Sequence, residues 1–464
     1  MKKSLSFVPL FCLSLVYCVA SHANATDDGF TQKAVIEDFA TLYQSLIDTH
    51  YNVYAYISQQ EFDDKYHAIR DSLTESSYSL LATITVYQQL VSAINNGHTE
   101  IDFPVKPYLE FAERGGTLFP LDLAFENGQA LVRANYSDNH TIRKGSEVVA
   151  INGMPIADIL RKISPQISAE REYFKLAKLE ILSFPRYFWY VFGKQKSFTV
   201  SLRNEGKVDS VKVDAVPVFS GFEEVKDEIL NAQKVLRFYG HTAYLNPGHF
   251  SGDEQEYRAF IDDAFIQILS REASNLIIDL RNNGGGDDSF SDYLVAYLAT
   301  EPFKWNARFS LRTSRLLQDN TREHRDLQNP YWKSIMENPV GTRYEYDFGY
   351  KQPVNSKRRF TGKVYTLINR HSHSQASVTA AQIQDYKLAT IVGEETGDYP
   401  SLYASQFQYV LPKTGITVKI SKGHIVRVNG SQAERGVIPN ISIADHLLDE
   451  QDEILDGLLQ YITE

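Results

Sequence analysis

The chain has 464 residues, enough for more than one domain, and its 43% hydrophobic and 23% charged residues are typical of a globular protein. The formal net charge of −11 and the lack of a basic run argue against nucleic acid or an anionic membrane surface as a partner. The sequence has no low-complexity tract and no internal repeat, which argues against fibrous and solenoid architectures.

Residues 1–25 have the pattern of a secretory signal peptide. Lys2 and Lys3 form a basic start, and an apolar segment follows over residues 5–20. Residues 23–25, Ala-Asn-Ala, supply a cleavage site, so we expect the mature chain to begin at Thr26 and to be periplasmic or secreted. An uncleaved anchor is the alternative, but the apolar run is shorter than the roughly 20 residues that a membrane span needs.

Both cysteines, Cys12 and Cys18, lie in this segment. Lipidation of Cys18 is a further alternative, opposed by the bulky Tyr17 before it. Cleavage would leave a chain with neither disulfides nor thiol chemistry. Loss of the two lysines would change the formal charge from −11 to −13.

Residues 26–107 are predicted to form an N-terminal helical domain. Apolar residues recur at three-and-four spacing in "AVIEDFATLYQSLIDTHY" and "SSYSLLATITVYQQLVSAI". The turn "NNGHTEIDF" then leads into a strand-like alternation.

Residues 108–216 are predicted to form a small β-rich module. "LDLAFENGQALVRANY" indicates a hairpin with an Asn-Gly turn, and "SFTVSLRNEGKVDSVKVDAV" indicates another. A strand over residues 147–151 and a short helix lie between them.

Residues 236–447 alternate strands with helices, which predicts an α/β core, and residues 448–464 follow as a C-terminal helix. The continuous apolar run "NLIIDL" is typical of a parallel strand buried on both faces. Functional sites of such cores lie at the carboxyl ends of the strands.

The glycines of "NLIIDLRNNGGGDDSF", residues 275–290, follow this strand directly. A phosphate loop needs other spacings, and Asp287 and Asp288 would repel phosphate. A purely structural turn stays possible. The favoured interpretation is an oxyanion hole, because glycine lets a main-chain N–H face a substrate without a Cβ in the way.

An oxyanion hole needs a nucleophile, and "LINRHSHSQAS" offers Ser372, Ser374 and Ser377 between an apolar strand and a helix. A serine at such a junction lies at the carboxyl end of a strand and in the field of a helix N-terminus. The alternative is that these serines only cap the helix.

These two segments, about 90 residues apart, together resemble the core of the C-terminal processing (tail-specific) serine peptidases and their tricorn-like relatives. "GVIPNISI", residues 436–443, resembles the segment that closes that core. "KGSEVVAINGMPI" resembles the PDZ module of these enzymes, and "NNGHTEI" a segment ahead of it. The resemblance implies an α/β fold with a crotonase/ClpP-like catalytic core, an inserted PDZ-like module and an N-terminal helical segment.

Matched residue by residue, the resemblance implies that Ser374 is the nucleophile. The N–H of Gln375 and one N–H from residues 284–286, with Gly285 favoured, would form the oxyanion hole. Asp279 and Arg281 match the motif as residues that organise the loop. Many family members have Glu where this chain has Ser377.

The proton acceptor departs from the bacterial branch of the family. That branch uses a lysine where this chain has Tyr399 in "GEETGDYPS". The tricorn-like branch instead uses a histidine and a glutamate, which match His98 and Glu434. The resemblance therefore implies a Ser374–His98–Glu434 triad, which meets the need of a serine hydroxyl for an adjacent base and of a histidine for an orienting carboxylate, with Lys422 as the next base to consider.

We therefore expect an exported serine endopeptidase that acts on protein or peptide substrates without a cofactor. No metal site is expected, because His371, His373 and His424 lack the spacing of known zinc motifs. A catalytically silent peptide- or ligand-binding protein on the same fold is the first alternative. An esterase or amidase of a small envelope molecule is the second. No membrane insertion is expected after signal cleavage, and the sequence leaves the oligomeric state open.

Overall fold

The computed structural model describes residues 29–224 and 233–464, so the predicted signal peptide lies outside the described residues. None of the helices in these two ranges combines the length and apolar character needed to cross a bilayer. The helices of these ranges are α1 (Gln32–Thr49), α2 (Gln59–Asp71), α3 (Leu80–Ser92), α4 (Val105–Glu113), α5 (Ile156–Ile163), α6 (Glu172–Leu182), α7 (Phe184–Phe192), α8 (Glu254–Ser270), α9 (Asp288–Val295), α10 (Arg315–His324), α11 (Pro330–Glu337), α12 (Gln375–Asp385) and α13 (Glu453–Thr463). The strands are β1 (Phe30–Thr31), β2 (Ser77–Tyr78), β3 (Thr117–Leu118), β4 (Leu121–Glu126), β5 (Gln129–Asn135), β6 (Glu147–Ile151), β7 (Met154–Pro155), β8 (Ser197–Asn204), β9 (Lys207–Asp214), β10 (Val216–Pro217), β11 (Val235–Tyr239), β12 (Thr242–Asn246), β13 (Asn275–Asp279), β14 (Arg308–Arg312), β15 (Arg343–Glu345), β16 (Lys363–Ile368), β17 (Thr390–Gly393), β18 (Leu402–Val410), β19 (Thr417–Val426) and β20 (Ile441–Ser442).

A six-stranded sheet in the order β11-β12-β13-β16-β17-β20 forms the α/β core. All its neighbours from β12 onward pair in parallel. The predicted strand "NLIIDL" is confirmed as β13 and is buried on both faces. Leu276 and Ile278 pack in the apolar core with α8, α9 and α12, whereas Ile277 packs with α13 on the other face.

A second, antiparallel sheet, β4-β5-β6-β8-β9 with β7 on β6, occupies residues 121–214. Both predicted hairpins are confirmed, since β4 pairs with β5 and β8 pairs with β9. Their two-residue turns have positive φ at both positions, 51° and 78° at Asn127 and Gly128, and 47° and 81° at Glu205 and Gly206, as a type I′ turn requires. The helices α6 and α7 of the same region were not predicted.

The N-terminal helices pack on a third sheet, β15-β14-β19-β18. The buried carboxylate of Asp38 on α1 accepts the backbone N–H groups of Lys413 and Thr414 in the β18–β19 turn. After α3 the chain pairs with β19 through the bridge between Glu100 and Lys419. This contact fixes the "NNGHTEI" segment to the third sheet, and the chain as a whole is a mixed α/β protein with several sheets.

Candidate active site

The glycine loop and the serine loop lie side by side because they follow adjacent parallel strands. β13 and β16 pair up to Asp279 and Leu367, after which the chain enters the glycine loop on one side and residues 369–374 on the other. The N–H of His373 donates to the carbonyl of Asn283 at 3.0 Å. Two segments about 90 residues apart in sequence thus share one edge of the sheet.

The contact between the two loops has room for glycine only. A Cβ built on Gly285 would lie 2.6 Å from the nitrogen of Gln375 and 2.7 Å from the Cβ of Ser374. Gly285 also has φ of +84°, which L side chains rarely adopt. The glycine loop is therefore packed directly against the predicted nucleophile.

Of the three candidate serines, Ser374 differs from the others in its hydrogen bonds. Ser372 is buried and donates to the carbonyl of Leu280 at 2.8 Å, and Ser377 is buried and donates to the carbonyl of Ser372 at 2.9 Å. Ser374 is partly exposed at the N-cap position of α12, and its side chain makes no capping bond. Capping thus explains neither Ser374 nor the other two serines.

The backbone of Ser374 is strained. Its φ of 54° and ψ of −125° fall in a region that a residue with a Cβ rarely occupies. Such strain costs of the order of 1–3 kcal/mol and is concentrated at functional sites. A sharp strand-to-helix turn with these properties presents a serine hydroxyl at the top of an α/β sheet.

Two backbone N–H groups beside Ser374 have no hydrogen-bond partner within the described ranges, those of Gln375 and Gly286. The N–H of Gly285, favoured by the sequence, donates instead to Asn283 Oδ1 at 2.8 Å, and that of Gly284 faces His249 Nδ1 at 3.0 Å. Of the three glycine amides, only that of Gly286 is free to bind an oxyanion in this arrangement.

His98 lies against the serine loop. Its imidazole is 4% exposed and stacks on the ring of His373, with ring centroids 4.9 Å apart. Its backbone carbonyl accepts a hydrogen bond of 2.6 Å from the side chain of Gln406 on β18. Neither nitrogen of His98 has a hydrogen-bond partner in the described part of the chain, Ser374 Oγ included.

The carboxylate nearest to His98 in an ion pair is that of Asp398, which the sequence analysis did not single out. Asp398 is fully buried in the loop after β17, one residue before Tyr399, which replaces the expected lysine. Its Oδ2 lies 3.9 Å from His98 Nε2 and accepts the N–H of Ser374 at 2.9 Å. Its Oδ1 accepts the N–H of Tyr399 at 2.8 Å.

Burial decides the charge of this cluster. It lowers the pKa of His98 to about 3, and the nearby charge of Lys178 contributes in the same direction. The pKa of His373 is likewise lowered, mainly by burial and then by the neighbouring His98. The pKa of Asp398 is raised by burial and by repulsion from the buried Glu170. Both imidazoles are therefore neutral at neutral pH, the form that accepts a proton.

Glu434, the orienting carboxylate that the sequence favours, forms no ion pair with His98 in the described ranges. Glu434 is exposed in the loop before Gly436, and no hydrogen bond joins it to His98. Lys422 Nζ donates to the carbonyl and hydroxyl of Ser405 at 2.7 and 2.8 Å, so these hydrogen bonds are made outside the serine loop. Burial lowers the pKa of Lys422 to about 7.

Two further predicted residues have structural contacts. Arg281 donates to the carboxylate of Asp279 and also binds Asp452 at the start of α13, so it ties the glycine loop to the C-terminal helix. His371 Nε2 lies 2.8 Å from the buried carboxylate of Glu180, and its Nδ1 lies 3.0 Å from Asn282 Oδ1.

Residues 241–443, which carry the glycine loop, Ser374 and Asp398, match the model of the family described as Peptidase family S41. The family that the motifs indicated is thereby confirmed for this part of the chain. Since this is a family of serine-type peptidases, the match favours an enzyme over the silent binding protein. The tricorn-like branch stays a prediction.

Among individual proteins, the tail-specific protease of Haemophilus influenzae is 21% identical over 242 residues, which make up 51% of this chain. This chain covers only 28% of the length of that relative. The crystal structure of mature CPAF is 17% identical and has a TM-score of 0.66, with 93% of this chain and 96% of that chain covered. Mature CPAF complexed with lactacystin is 16% identical, with a TM-score of 0.61 over 93% of this chain and 97% of that one. At these identities the similarity shows a shared fold.

Proposed function

We propose that this chain is an exported serine endopeptidase that hydrolyses peptide bonds through an acyl-enzyme on Ser374. The observation that carries the proposal is the state of Ser374: a strained, partly exposed serine without a capping bond, flanked by two unpartnered N–H groups and a neutral histidine. A serine used only for structure would be expected to make the hydrogen bonds that Ser372 and Ser377 make.

In the first half-reaction, Ser374 Oγ forms a bond to the carbonyl carbon of the substrate and passes its proton to a ring nitrogen of His98. The N–H groups of Gln375 and Gly286 stabilise the oxyanion. His98 then gives the proton to the leaving amine as the C–N bond breaks. A water molecule, deprotonated by the same ring, releases the acyl group and restores the Ser374 hydroxyl.

The orienting carboxylate in this proposal is Asp398, because it is buried beside His98 and already binds the N–H of Ser374. The His98–Asp398 separation of 3.9 Å is longer than a hydrogen bond. Catalytic hydrogen bonds are often long in free enzymes and shorten when substrate binds, and we expect the same of this pair. Glu434, the carboxylate that the sequence favours, stays the competing prediction.

The remaining parts of the proposal concern substrate and location. The antiparallel sheet of residues 121–214 acts as a PDZ-like module that holds an extended peptide segment by strand addition, and the parallel sheet is a crotonase/ClpP-like core. The leader of residues 1–25 directs the chain to the periplasm or the medium, with Thr26 as the first mature residue.

Hydrolysis of an unfolded protein such as casein, measured for Ser374→Ala and Ser372→Ala, tests the function. We expect Ser374→Ala to abolish proteolysis without a change in circular dichroism. Ser372→Ala is the matched control, and it should retain activity because its buried hydroxyl bonds only to backbone groups, the carbonyl of Leu280 and the N–H of Asn369. Full proteolysis by Ser374→Ala would show that the nucleophile lies elsewhere.

A further inference from the structure

Three potential metal-ligand atoms converge beside Ser374. His98 Nε2 lies 3.9 Å from Asp398 Oδ2, and His373 Nε2 lies 3.5 Å from the same oxygen. One ligand atom from each of the three residues lies within 4.8 Å of the other two. Only one of these residues, His98, belongs to the set that the sequence analysis assigned to catalysis.

Several side-chain polar atoms in and beside this cluster are buried without a hydrogen-bond partner. Both nitrogens of His98 and Nε2 of His373 are buried and have no hydrogen bond in the described ranges. Glu170 Oε2, the free oxygen of a carboxylate that binds the N–H of Gly97, is buried without a partner as well. Buried polar atoms are nearly always paired, so several unpaired atoms in one cluster indicate an ion or ordered water between them.

We propose that His98, His373 and Asp398 bind a single divalent transition-metal ion, with Zn²⁺ as the preferred ion. Imidazole nitrogen and carboxylate oxygen are the ligand types that zinc takes at about 2.0–2.2 Å. Ligands at that distance in a tetrahedron are roughly 3.3–3.6 Å apart, a spacing that follows from those bond lengths. The separation of 3.5 Å already fits this spacing, whereas the separation of 3.9 Å and that between the two histidine nitrogens, which is at most 4.8 Å, would have to reach it when the ion binds.

Contacts outside the three ligands support the same geometry. The Asp398 carboxylate is fixed by the N–H groups of Ser374 and Tyr399, and the backbone of His373 is fixed by its bond to Asn283. Partners of this kind orient metal ligands. Because His98 Nδ1 has no such partner, the site should bind zinc more weakly than a structural zinc site does.

The surrounding charges partly cancel. Glu170 and Glu100 favour a cation at this place, whereas Lys178 and Lys419, which pair with Glu100 at 3.6 and 3.7 Å, oppose it. The three ligands leave one tetrahedral position for water. If the function proposed above holds, zinc takes the lone pair of His98 that would accept the serine proton, so the metal-bound enzyme is inactive.

Cobalt binding tests the site directly, because four-coordinate Co²⁺ has visible absorption bands. Its binding can therefore be detected without an activity assay. The full mature chain, stripped with EDTA, is titrated with Co²⁺, and Zn²⁺ is then added as competitor. We expect one equivalent of Co²⁺ with visible bands that zinc abolishes. Absence of saturable binding would overturn the proposal.

Variants separate this site from other histidines. His373→Phe removes one ligand and keeps an aromatic ring against Phe174. Loss of a hydrogen-bond partner of a metal ligand typically weakens metal binding by about 10–100-fold, so loss of the ligand itself should weaken it by more. The exposed His446 is the matched control, and His446→Gln should bind like wild type. If His373→Phe does not fold, His98→Gln replaces it. Wild-type affinity in a folded variant that lacks a ligand would overturn the site.

The failure of this site and the failure of the proposed function give different results. Ser374→Ala keeps all three ligands, so its metal affinity should equal that of wild type even though it is inactive. Zinc bound at His98 should also block labelling of Ser374 by a fluorophosphonate. Binding without any block of labelling would support the metal site and contradict the role of His98 as base.

Discussion

The close contact between Gly285 and the serine loop makes Gly285→Ala the most informative variant of the candidate site. The new Cβ would lie 2.6, 2.7 and 2.8 Å from the nitrogen of Gln375, the Cβ of Ser374 and the carbonyl oxygen of His373. Since non-bonded carbon atoms prefer about 3.5–4.0 Å, one loop must move by roughly 1 Å. A misplacement of about 1 Å costs about 10²-fold in rate, and loss of one oxyanion donor costs about 10²–10³-fold.

We therefore expect Gly285→Ala to lower kcat/KM for casein, and the second-order rate of fluorophosphonate labelling, by about 100-fold or more. Gly341→Ala is the matched control. Gly341 has nearly the same φ, +85° against +84°, but no atom lies within 4 Å of its built Cβ. An alanine in the left-handed conformation costs about 1–2 kcal/mol. Gly341→Ala should therefore lower the free energy of unfolding by only that amount and keep full activity.

The result that would refute this reasoning is a folded Gly285→Ala enzyme with turnover within about threefold of wild type, since the predicted loss is at least about 10²-fold. The oxyanion would then be bound at a place that the glycine loop does not touch. A loss of activity in Gly341→Ala as large as that in Gly285→Ala would be equally damaging, because it would trace the effect to backbone strain alone.

Asp398→Asn should lower kcat by as much as about 10⁴-fold, the loss typical of an orienting aspartate. Because Glu434 is exposed, Glu434→Gln should keep a kcat near that of wild type. A larger loss in Glu434→Gln than in Asp398→Asn would restore Glu434 to the triad. Burial lowers the pKa of His98 to about 3. When kcat/KM is measured from pH 4 to pH 8, its fall on the acid side should therefore have an apparent pKa well below the ordinary histidine value of about 6.5. An apparent pKa of about 6–7 would contradict a buried base. Although burial alone would raise it, the hydrogen bond of His371 and the charge of Arg370 lower the pKa of Glu180 to about 2. The stabilisation by Glu180 is therefore present above about pH 4.5 and is lost as the pH falls from there towards 2. In urea unfolding at pH 7, Glu180→Gln should lower the free energy of unfolding by about 3–5 kcal/mol. A loss of less than about 1 kcal/mol would contradict this role of Glu180.

The sequence predicted what depends on local pattern. "NLIIDL" has three consecutive apolar residues, Leu276–Ile278, and such a run is stable only between two layers, which is where β13 lies. The Asn-Gly turn at 127–128 likewise requires positive φ and was recognisable from two residues. The choice of Ser374 came from the family resemblance, and the bonds of Ser372 and Ser377 give it a physical reason.

What the sequence missed depends on contacts between distant segments. Asp398 is an unremarkable acid in a turn until the fold buries it against His98, some 300 residues earlier in the chain. Gly285 and Gly286 are neighbours in one glycine run, and the sequence does not show that the side chain of Asn283 accepts the N–H of Gly285 and leaves that of Gly286 free. The pairing of His98 with His373 could not be predicted either, because the ring contact joins two layers of the fold.

The central claim, that Ser374 is the nucleophile, is tested most directly by trapping the covalent enzyme. The mature chain is treated with a fluorophosphonate, its intact mass is measured, and the modified residue is located by peptide sequencing. We expect a single adduct on Ser374, slowed by His98→Ala and absent from Ser374→Ala. An adduct on any other residue, or no adduct on a chain that cleaves casein, would contradict it.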